Sequence, residues 1–422
     1  MYLDAEEQRM LSGKEGVGKK KAMEFLCAVG DAVGAEKMAK VVIAHIMPPD
    51  VMFFPYGERG KWGQQLTEDW LEGVDHFKVP TTIDPKWIDL NAAKELEFPA
   101  PIIDDLTNIM EKAVNRYIDL GTSPTWSAIT FYDHPVLLGQ HVAIAESCAI
   151  PYYGGVYGAR CERDNGVTTI ACAITGVTPE FGAHLPENRF AEVIVRIKDD
   201  IKLERSNYTD YDALSFYASK PLKGRIPVFA NLPFPVTMTQ LKDIVSPLGI
   251  GAGVPMMHIV GVTPEAPTLE SALGGRKPLD EIVVGKREIQ EVYQSLCTAT
   301  DDKVDYVVFG CPHVSVDELR QIAEILQGKK VNQNVRLIVS TYRPFFETAT
   351  EMGYIDIIRQ AGGMVICDSC IAFFASILRG TMATNSSKEA FFLHGYSKGE
   401  IKLWYGSLRD CVNAAITGKW QA

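Results

Sequence analysis

The stretch VVFGCPHVSVDELRQIAEIL, Val307 to Leu326, decides how this chain is read. An apolar run stops at Gly-Cys-Pro-His, and a helical pattern starts at once. MVICDSCIAFF, Met364 to Phe374, does something similar further along. A short apolar run followed directly by a helix is one unit of an alternating αβ chain. Working outward, Val228–Asn231, Met257–Val260, Glu281–Val284, Tyr306–Phe309, Arg336–Ser340 and Met364–Cys367 read as strands. Helices follow from Thr239, near Thr268, and at Lys286–Cys297, Ser315–Leu326, Tyr342–Met352 and near Ser387. This alternation predicts an α/β fold with mostly parallel sheets. In such sheets ligands sit beyond the carboxyl ends of strands, beside helix N-termini that favour anions. Cys311 and Cys370 both stand there. Two thiolates from separate strand ends suit iron. On spacing alone, inert core thiols remain equally open.

The N-terminal half is less regular. Two helical patterns split at Gly13, and the second carries Ala22, Phe25, Leu26 and Val29 on one face. Lys40–His45 reads as a strand. Pro48–Trp70, rich in Gly, Pro and aromatics, reads as a long loop, and Val79–Pro85 as the end of a short strand. Asp104–Leu120 reads as a helix. From Gly121 to Leu185 short helices are expected at 139–147 and 168–174, and Arg189 to Ile201, containing AEVIVRI, alternates like a strand. The expected organisation is an N-terminal α/β lobe or lobes over 1–201, a polar link at 202–226, and a C-terminal α/β lobe or lobes over 227–422.

The chain has 422 residues, 46% hydrophobic and 23% charged, which is enough for a large core. The net charge of −11, with no long basic run, argues against nucleic acid as a partner. The charged start MYLDAEEQRM and the lack of any apolar run near the ~20 residues of a membrane span predict a soluble, cytoplasmic protein. Nine cysteines, an odd number, then read as reduced thiols. The run Leu248-Gly-Ile-Gly-Ala-Gly253 lacks the Lys-Ser/Thr of a P-loop and the full dinucleotide fingerprint, so it reads better as a tight turn than a nucleotide site.

Several longer stretches together resemble the large subunit of the aconitase X family. They are MYLDAEEQRMLSGKEG, VPTTIDP, GQHVAIAESCAIPYYGGVYGARCERDNG, AITGVTPEFGAHLPENR, FGCPHVSVDEL, CDSC and TNSSKEAFF, in that order along nearly the whole chain. The resemblance implies an aconitase-like, multi-lobed α/β/α architecture without the swivelling small domain, which a separate small subunit would supply. It implies a hydro-lyase with an iron or iron–sulfur centre, acting on a small hydroxy acid. Phosphomevalonate, in an isoprenoid route, and cis-3-hydroxy-L-proline are the family's known substrates. A base on the small subunit would take the proton beside the carboxylate, a metal on Cys311 and Cys370 would draw off the hydroxyl, and cations would hold the carboxylate. Arg160, Arg189, Arg343 and Lys388 are the candidates for that last role, with Ser387 in the same loop as Lys388. For Arg189 an ordinary ion pair is an equal expectation. Glu146 and Ser147 match a position near substrate and metal, the alternative being a local cap. His45, Asp50, Asp84 and Pro85 fall at the substrate edge.

The chain departs from the family pattern in two places. The family's Pro-Thr-Cys-Thr-Cys stretch, source of a third metal ligand, is here Pro124-Thr125-Trp126-Ser127-Ala128. Cys148 could replace that ligand, the centre could be a simpler iron with two Cys, or the metal could be lost, leaving a binding or regulatory paralogue. His134 and His141 are nearby in sequence but read as hydrogen-bonded structural residues. Second, Met47-Pro48-Pro49-Asp50 and Asp84 stand where phosphomevalonate members carry Gly-Val-Ser and Asn. Proline offers no N–H to a phosphate and the carboxylates repel it. With the aromatic insertion Phe53–Gly57, this favours a hydroxy amino acid, unless both Asp side chains merely cap turns.

Overall fold

The structure is a computed structural model that describes residues 1–53, 57–204 and 206–421. The chain forms two compact units. The first comprises 1–86, 90–191 and 254–275; the second comprises 87–89, 192–253 and 276–422. No helix among the described residues is long and apolar enough to cross a membrane.

The first unit is built on strands β1 (Met38–Ile46), β2 (Thr81–Ile83), β3 (Thr122–Ser123), β4 (His141–Ile144) and β5 (Val177–Pro179). Their order is β3-β2-β1-β4, all parallel, with β5 antiparallel to the start of β1. Parallel strands are covered on both faces, and β1 reads accordingly as an almost unbroken apolar run. Helices Val17–Val33, Ala100–Asp119 and Gly166–Thr175 supply Met23, Leu26, Ala113, Tyr117, Ile170 and Ile174 to one core with Ile46, Ile83 and Ala143.

Two expectations fail here. Much of the loop expected over 48–70 is a helix, Gly57–Leu71, because Gly60, Gly63, Thr67 and Leu71 recur at helical spacing and form a small, buried face. Three glycines and two tryptophans disguise that period. Phe54, Pro55 and Tyr56 of the aromatic insertion lie outside the described residues. The helix expected at 139–147 is strand β4, entered from Gly139 at φ 82°, with Val142, Ala143 and Ile144 all buried.

The second unit holds the remaining longer strands: β6 (Val193–Ile197), β7 (Pro227–Phe229), β9 (Asp280–Val284), β10 (Tyr306–Val314), β11 (Arg336–Thr341), β12 (Met364–Cys367), β13 (Thr381–Thr384) and β14 (Lys402–Tyr405). The two-residue β8 (His258–Ile259) belongs to the 254–275 segment of the first unit. Strands β7-β6-β9 pair in parallel, as do β12-β11-β10-β13-β14. Within the stretch expected to link lobes, Tyr208–Ser219 is a helix with ten of its twelve residues buried. Its polar look comes from Tyr, Thr, Ser and Asp side chains that find partners inside, among them Asp212 and Ser215. The helix Val316–Leu326 starts as its sequence dictates. Ser315 accepts from the Glu318 N–H at 3.3 Å and Glu318 reaches back to the Ser315 N–H at 2.7 Å, a capping box.

Strand β10 outruns its expected end at Phe309. Phe309 is opposite Val339, but Val314 is opposite Thr341. Residues Gly310–His313 are therefore looped out of the ladder in an enlarged bulge. Gly310 makes this feasible: its φ is 131°, and a Cβ there would lie 2.5 Å from the Ser340 carbonyl oxygen.

Candidate functional site

In the first unit the carboxyl ends of β1, β2 and β4 bring His45, Thr82, Asp84 and Glu146 to one sheet edge, with His45 opposite both Thr82 and Ile144. His45 is fully buried. Its Nδ1 is 2.8 Å from Thr82 Oγ1 and its Nε2 is 3.0 Å from Asp84 Oδ1. Hydroxyl, imidazole and carboxylate form one chain, so Asp84 faces a histidine rather than open pocket. Thr82 is a partner that family spacing did not point to. Pro85 is buried behind it. Asp50 is also fully buried, and it turns away from this edge. Tyr117 donates to its Oδ1 at 3.2 Å, and Arg116 Nη1 is 3.5 Å from its Oδ2. Burial pushes its carboxyl up to about 6 against the pull of Arg116.

Glu146 makes the cap that was the simpler expectation. Its Oε1 accepts from the Cys148 N–H and from Ser147 Oγ, each at 3.1 Å. Arg160 and Arg189 are both engaged by one carboxylate: Arg160 Nη1 is 3.1 Å from Glu265 Oε1, and Arg189 holds Glu265 through Nε and Nη2. Arg189 is 2% exposed and also donates to the Gly154 and Ala183 carbonyls. Burial alone would raise Glu265; the Arg189 hydrogen bonds and charge outweigh it and hold the carboxyl below its usual range. The ion pair weighed for Arg189 is thus present, and Arg160 shares it. His141 Nδ1 is 3.0 Å from His184 Nδ1, and burial with the His141 neighbour pushes His184 down to about 3. Burial lowers His134 too, and its Nδ1 is buried without a hydrogen-bond partner, so the hydrogen-bonded role expected of both histidines holds for the His141 ring and not for His134 Nδ1.

The stretch that replaces the family cysteine motif is woven into the end of β2. Thr125 Oγ1 bonds both the Ile83 N–H and its carbonyl, and the Ser127 N–H donates to Ile83 O at 3.1 Å. Trp126, 4% exposed, fills the core, with Lys86 Nζ 5.0 Å from its ring centroid, a cation–π contact.

In the second unit β10 and β12 flank β11, so the loops bearing Cys311 and Cys370 lie on strand ends either side of β11. They are tied together: His313 Nε2 is 3.0 Å from the Ser369 carbonyl oxygen, which also accepts from Ser340 Oγ at 2.8 Å. Cys311 is buried and Cys370 half-buried. Cys367 is a core thiol, pushed up to about 12 by burial. Arg343, half exposed, pairs with Asp368 Oδ2 at 2.8 Å. Asp368, in the Cys-Asp-Ser-Cys turn, sits at φ 61°, a left-handed conformation that Asp tolerates. Ser387 and Lys388 open the helix Ser387–Tyr396 and are both buried. The Ser387 N–H donates to Asp212 Oδ1 at 2.9 Å, and Lys388 Nζ is 6.0 Å from the Phe392 ring.

Beside Cys311 is a small cavity, with room for about one water molecule, lined by Asp212, Lys242, Asp243, Glu318, Asn385 and Ser386 among others. Lys242, 1% exposed, is 2.6 Å from Glu318 Oε2 and 3.5 Å from Asp243 Oδ1. Burial alone would lower its ammonium; the charges of Asp243 and Glu318 outweigh that and raise it. Asp212 accepts from Tyr405 OH at 2.7 Å, and burial still pushes it up to about 7. None of these cavity residues except Cys311 was nominated from sequence. The helix Met238–Pro247 mixes Thr, Gln, Lys, Asp and Ser with its apolar residues, so no local pattern marked Lys242 as buried.

Of the second unit's cysteines, the two at the sequence-nominated strand ends are Cys311 and Cys370. That set fits a centre with two protein thiolates and does not fit one held by three. Cys148, expected as a third ligand, belongs to the first unit, is fully buried, and directs its thiol at the Ala128 carbonyl at 3.4 Å. Among the described residues no group of three His, Cys, Asp or Glu is arranged to hold a metal ion.

Comparison with known proteins agrees with this architecture. Residues 1–187 match the aconitase X first domain, 191–294 the second and 304–417 the third. The chain is 31% identical over 403 residues to the phosphomevalonate dehydratase large subunit of Thermococcus kodakarensis, covering 94% of this chain and 96% of that one. It is 30% identical over 423 residues to the subunit of the same name from Methanosarcina mazei, covering 99% and 98%. The cis-3-hydroxy-L-proline dehydratase of Pseudomonas aeruginosa is 28% identical over 99% of this chain but only 70% of its own length. The crystal structure of Thermococcus kodakaraensis aconitase X in its holo-form superposes with a TM-score of 0.83 at 29% identity, over 98% of this chain and all of that one. Three consecutive domain matches, end-to-end relatives and a shared fold lead to one conclusion: the chain belongs to the aconitase X family.

Proposed function

We propose that this chain is the large subunit of a dehydratase, a hydro-lyase that removes water from a small hydroxy acid, with phosphomevalonate dehydratase the nearest named activity. The observation that carries this reading is the end-to-end match to large subunits of that name. It is supported by two thiols at strand ends either side of β11, their loops tied through His313 and Ser369. A relative named "large subunit" implies a small partner, and the longer cis-3-hydroxy-L-proline dehydratase extends well beyond the part this chain matches. We assign the missing base to that partner, a swivelling small subunit.

An iron on Cys311 and Cys370 would supply a Lewis acid toward the departing hydroxyl. Arg343 and Lys388 are the cations proposed for the substrate carboxylate, because Arg160 and Arg189 already share Glu265. Arg343 keeps half its surface in solvent while Asp368 orients it, and Ser387 and Lys388 begin a helix whose N-terminus favours an anion. Ser147 and Glu146 form a local hydrogen-bonded pair at the end of β4 and are proposed to shape the substrate edge. The two acidic residues that argued against phosphate are engaged internally, Asp84 with His45 and Asp50 with Tyr117. That weakens the case for a hydroxy amino acid and leaves the phosphorylated substrate as the better reading.

The test is co-expression with the small subunit, anaerobic purification, and assay of phosphomevalonate and cis-3-hydroxy-L-proline by absorbance of the new double bond, with iron and sulfide measured on the same sample. Turnover of phosphomevalonate is expected. Turnover of the hydroxyproline alone would replace the substrate. A folded, iron-free protein that turns over neither and resists reconstitution would make the chain a binding paralogue.

A further inference from the structure

The bulge of β10 removes Gly310–His313 from the ladder, so its carbonyls need other donors. Side chains provide them for Cys311 and His313, and a third bonds the carbonyl of Val314, where the ladder resumes. Ser386 Oγ donates to Cys311 O, Lys242 Nζ to His313 O at 3.4 Å, and Thr341 Oγ1 to Val314 O at 2.8 Å. Lys242 is the unusual member. A fully buried lysine loses its hydration, and a buried ion pair is weak evidence of stabilisation, because apolar residues of the same volume often do as well. Its partner Glu318 is held in turn: Oε2 accepts from the Ser315 N–H at 2.7 Å and from Ser315 Oγ at 2.9 Å. Thr239, in the same helix as Lys242, donates to Ser315 Oγ at 3.2 Å. His313 then passes the constraint on to Ser369, the residue before Cys370.

The geometry points to Lys242 as a positioning residue that fixes the Cys311 loop, and through His313 the Cys370 loop, by donating to the His313 carbonyl from its ion pair with Glu318. The lysine touches no reacting atom. It acts by holding the bulge in one conformation, and Glu318 holds the lysine while capping the next helix. Only the kinetic consequence rests on the proposed dehydratase function; the conformational one stands without it.

Two double variants separate positioning from mere support. Lys242→Met with Glu318→Gln removes the buried ammonium and its nearer carboxylate, leaves Asp243 in place, and keeps the cap, since Gln still accepts from the Ser315 N–H, but leaves His313 O without its donor. Lys242→Gln with Glu318→Gln has the same charge, Asp243 included, and keeps an N–H for that carbonyl. Alkylation of each thiol by iodoacetamide in the native, metal-free chain is followed by peptide mapping, with Cys27 as internal control. In the first variant Cys311 is expected to label about tenfold faster than in the parent, with Cys27 unchanged and a melting temperature within a few degrees. In the second, labelling returns most of the way. In the complex with the small subunit, kcat falls about tenfold in the first variant and KM moves less than twofold. Parent-like labelling of Cys311 in a folded first variant overturns the proposal whatever the assay gives. Folding of the second variant but not the first supports it; failure of both makes the pair a packing element and overturns it. A labelling change without any dehydration in the parent complex sinks the functional reading alone.

Discussion

The two units carry similar parallel strand ends, yet they treat charge differently. In the first, nearly every nominated group is matched inside the protein: His45 with Thr82 and Asp84, Asp50 with Tyr117 and Arg116, Arg160 and Arg189 with Glu265. In the second, Cys311 opens on a cavity with three carboxyls and one lysine, and Arg343 keeps half its surface in solvent. Location at a strand end presents a side chain; its neighbours decide whether it is available. The first unit reads as a closed electrostatic frame, and the second is the one in which the proposed function places the reactive edge.

The sharpest way to break this contrast is to remove the sulfurs. Cys311→Ser or Cys370→Ser should abolish both iron colour and turnover, and Cys27→Ser should leave both intact; iron analysis and absorbance assay decide it. If Cys148→Ser strips iron as completely, the reactive edge includes the first unit. The closed frame is tested next at Glu265. Glu265→Gln leaves the buried Arg189 and the partly buried Arg160 without this negative neighbour, expected to cost about 3–5 kcal/mol, read by urea denaturation. Because the folded-state pKa of Glu265 is depressed, its contribution is present above the unfolded carboxyl pKa and is lost as pH falls through the lower folded value. The gap between parent and variant should therefore shrink in acid.

Asp50 has the opposite sign. Its carboxyl is raised to about 6, so its favourable share is full below the unfolded pKa of about 4 and is lost as pH rises through about 6. Asp50→Asn should gain on the parent by about 2–3 kcal/mol between pH 4 and pH 7, measured by denaturation at each pH. A pH-independent difference would mean that Arg116 and Tyr117 fully compensate the buried charge. The smallest effect expected is at Lys86→Met, which loses the cation–π contact with Trp126. A cost of about 0.5–1 kcal/mol, with iron content untouched, would confirm that Trp126 is packing in place of chemistry.

The alternation from Pro227 onward was legible because buried parallel strands are short apolar runs with helices between them. Strands β7, β9, β10, β11 and β12 follow from it, and the helices after most of them, while β6 was read from the alternation in AEVIVRI. Strands β13 and β14 were not placed, since Thr381–Thr384 and Lys402–Tyr405 mix polar and apolar residues and are settled by pairing with β10 and with each other. The helix Gly57–Leu71 was hidden because its buried face is made of glycine and threonine, which carry no hydrophobic period. Site residues divide in the same way. Cys311 and Cys370 are visible from local pattern, and their family match was visible with them. Lys242, Glu318, Thr82 and Glu265 matter through partners tens of residues away, which no local spacing encodes. The arginines show the converse: their chemistry suggested a free cation, and a distant glutamate had already claimed two of them.

One consequence follows from the extra residues in β10. Tyr306–Phe309 stay in step with Arg336–Val339, and the chain rejoins its neighbour only at Val314 and Thr341. How far the sulfur stands off the sheet is therefore a matter of spacer length, independent of the pairing on either side. A chain of this kind can gain, lose or exchange the group at its tip while the scaffold beneath keeps its register, provided glycine holds the first corner.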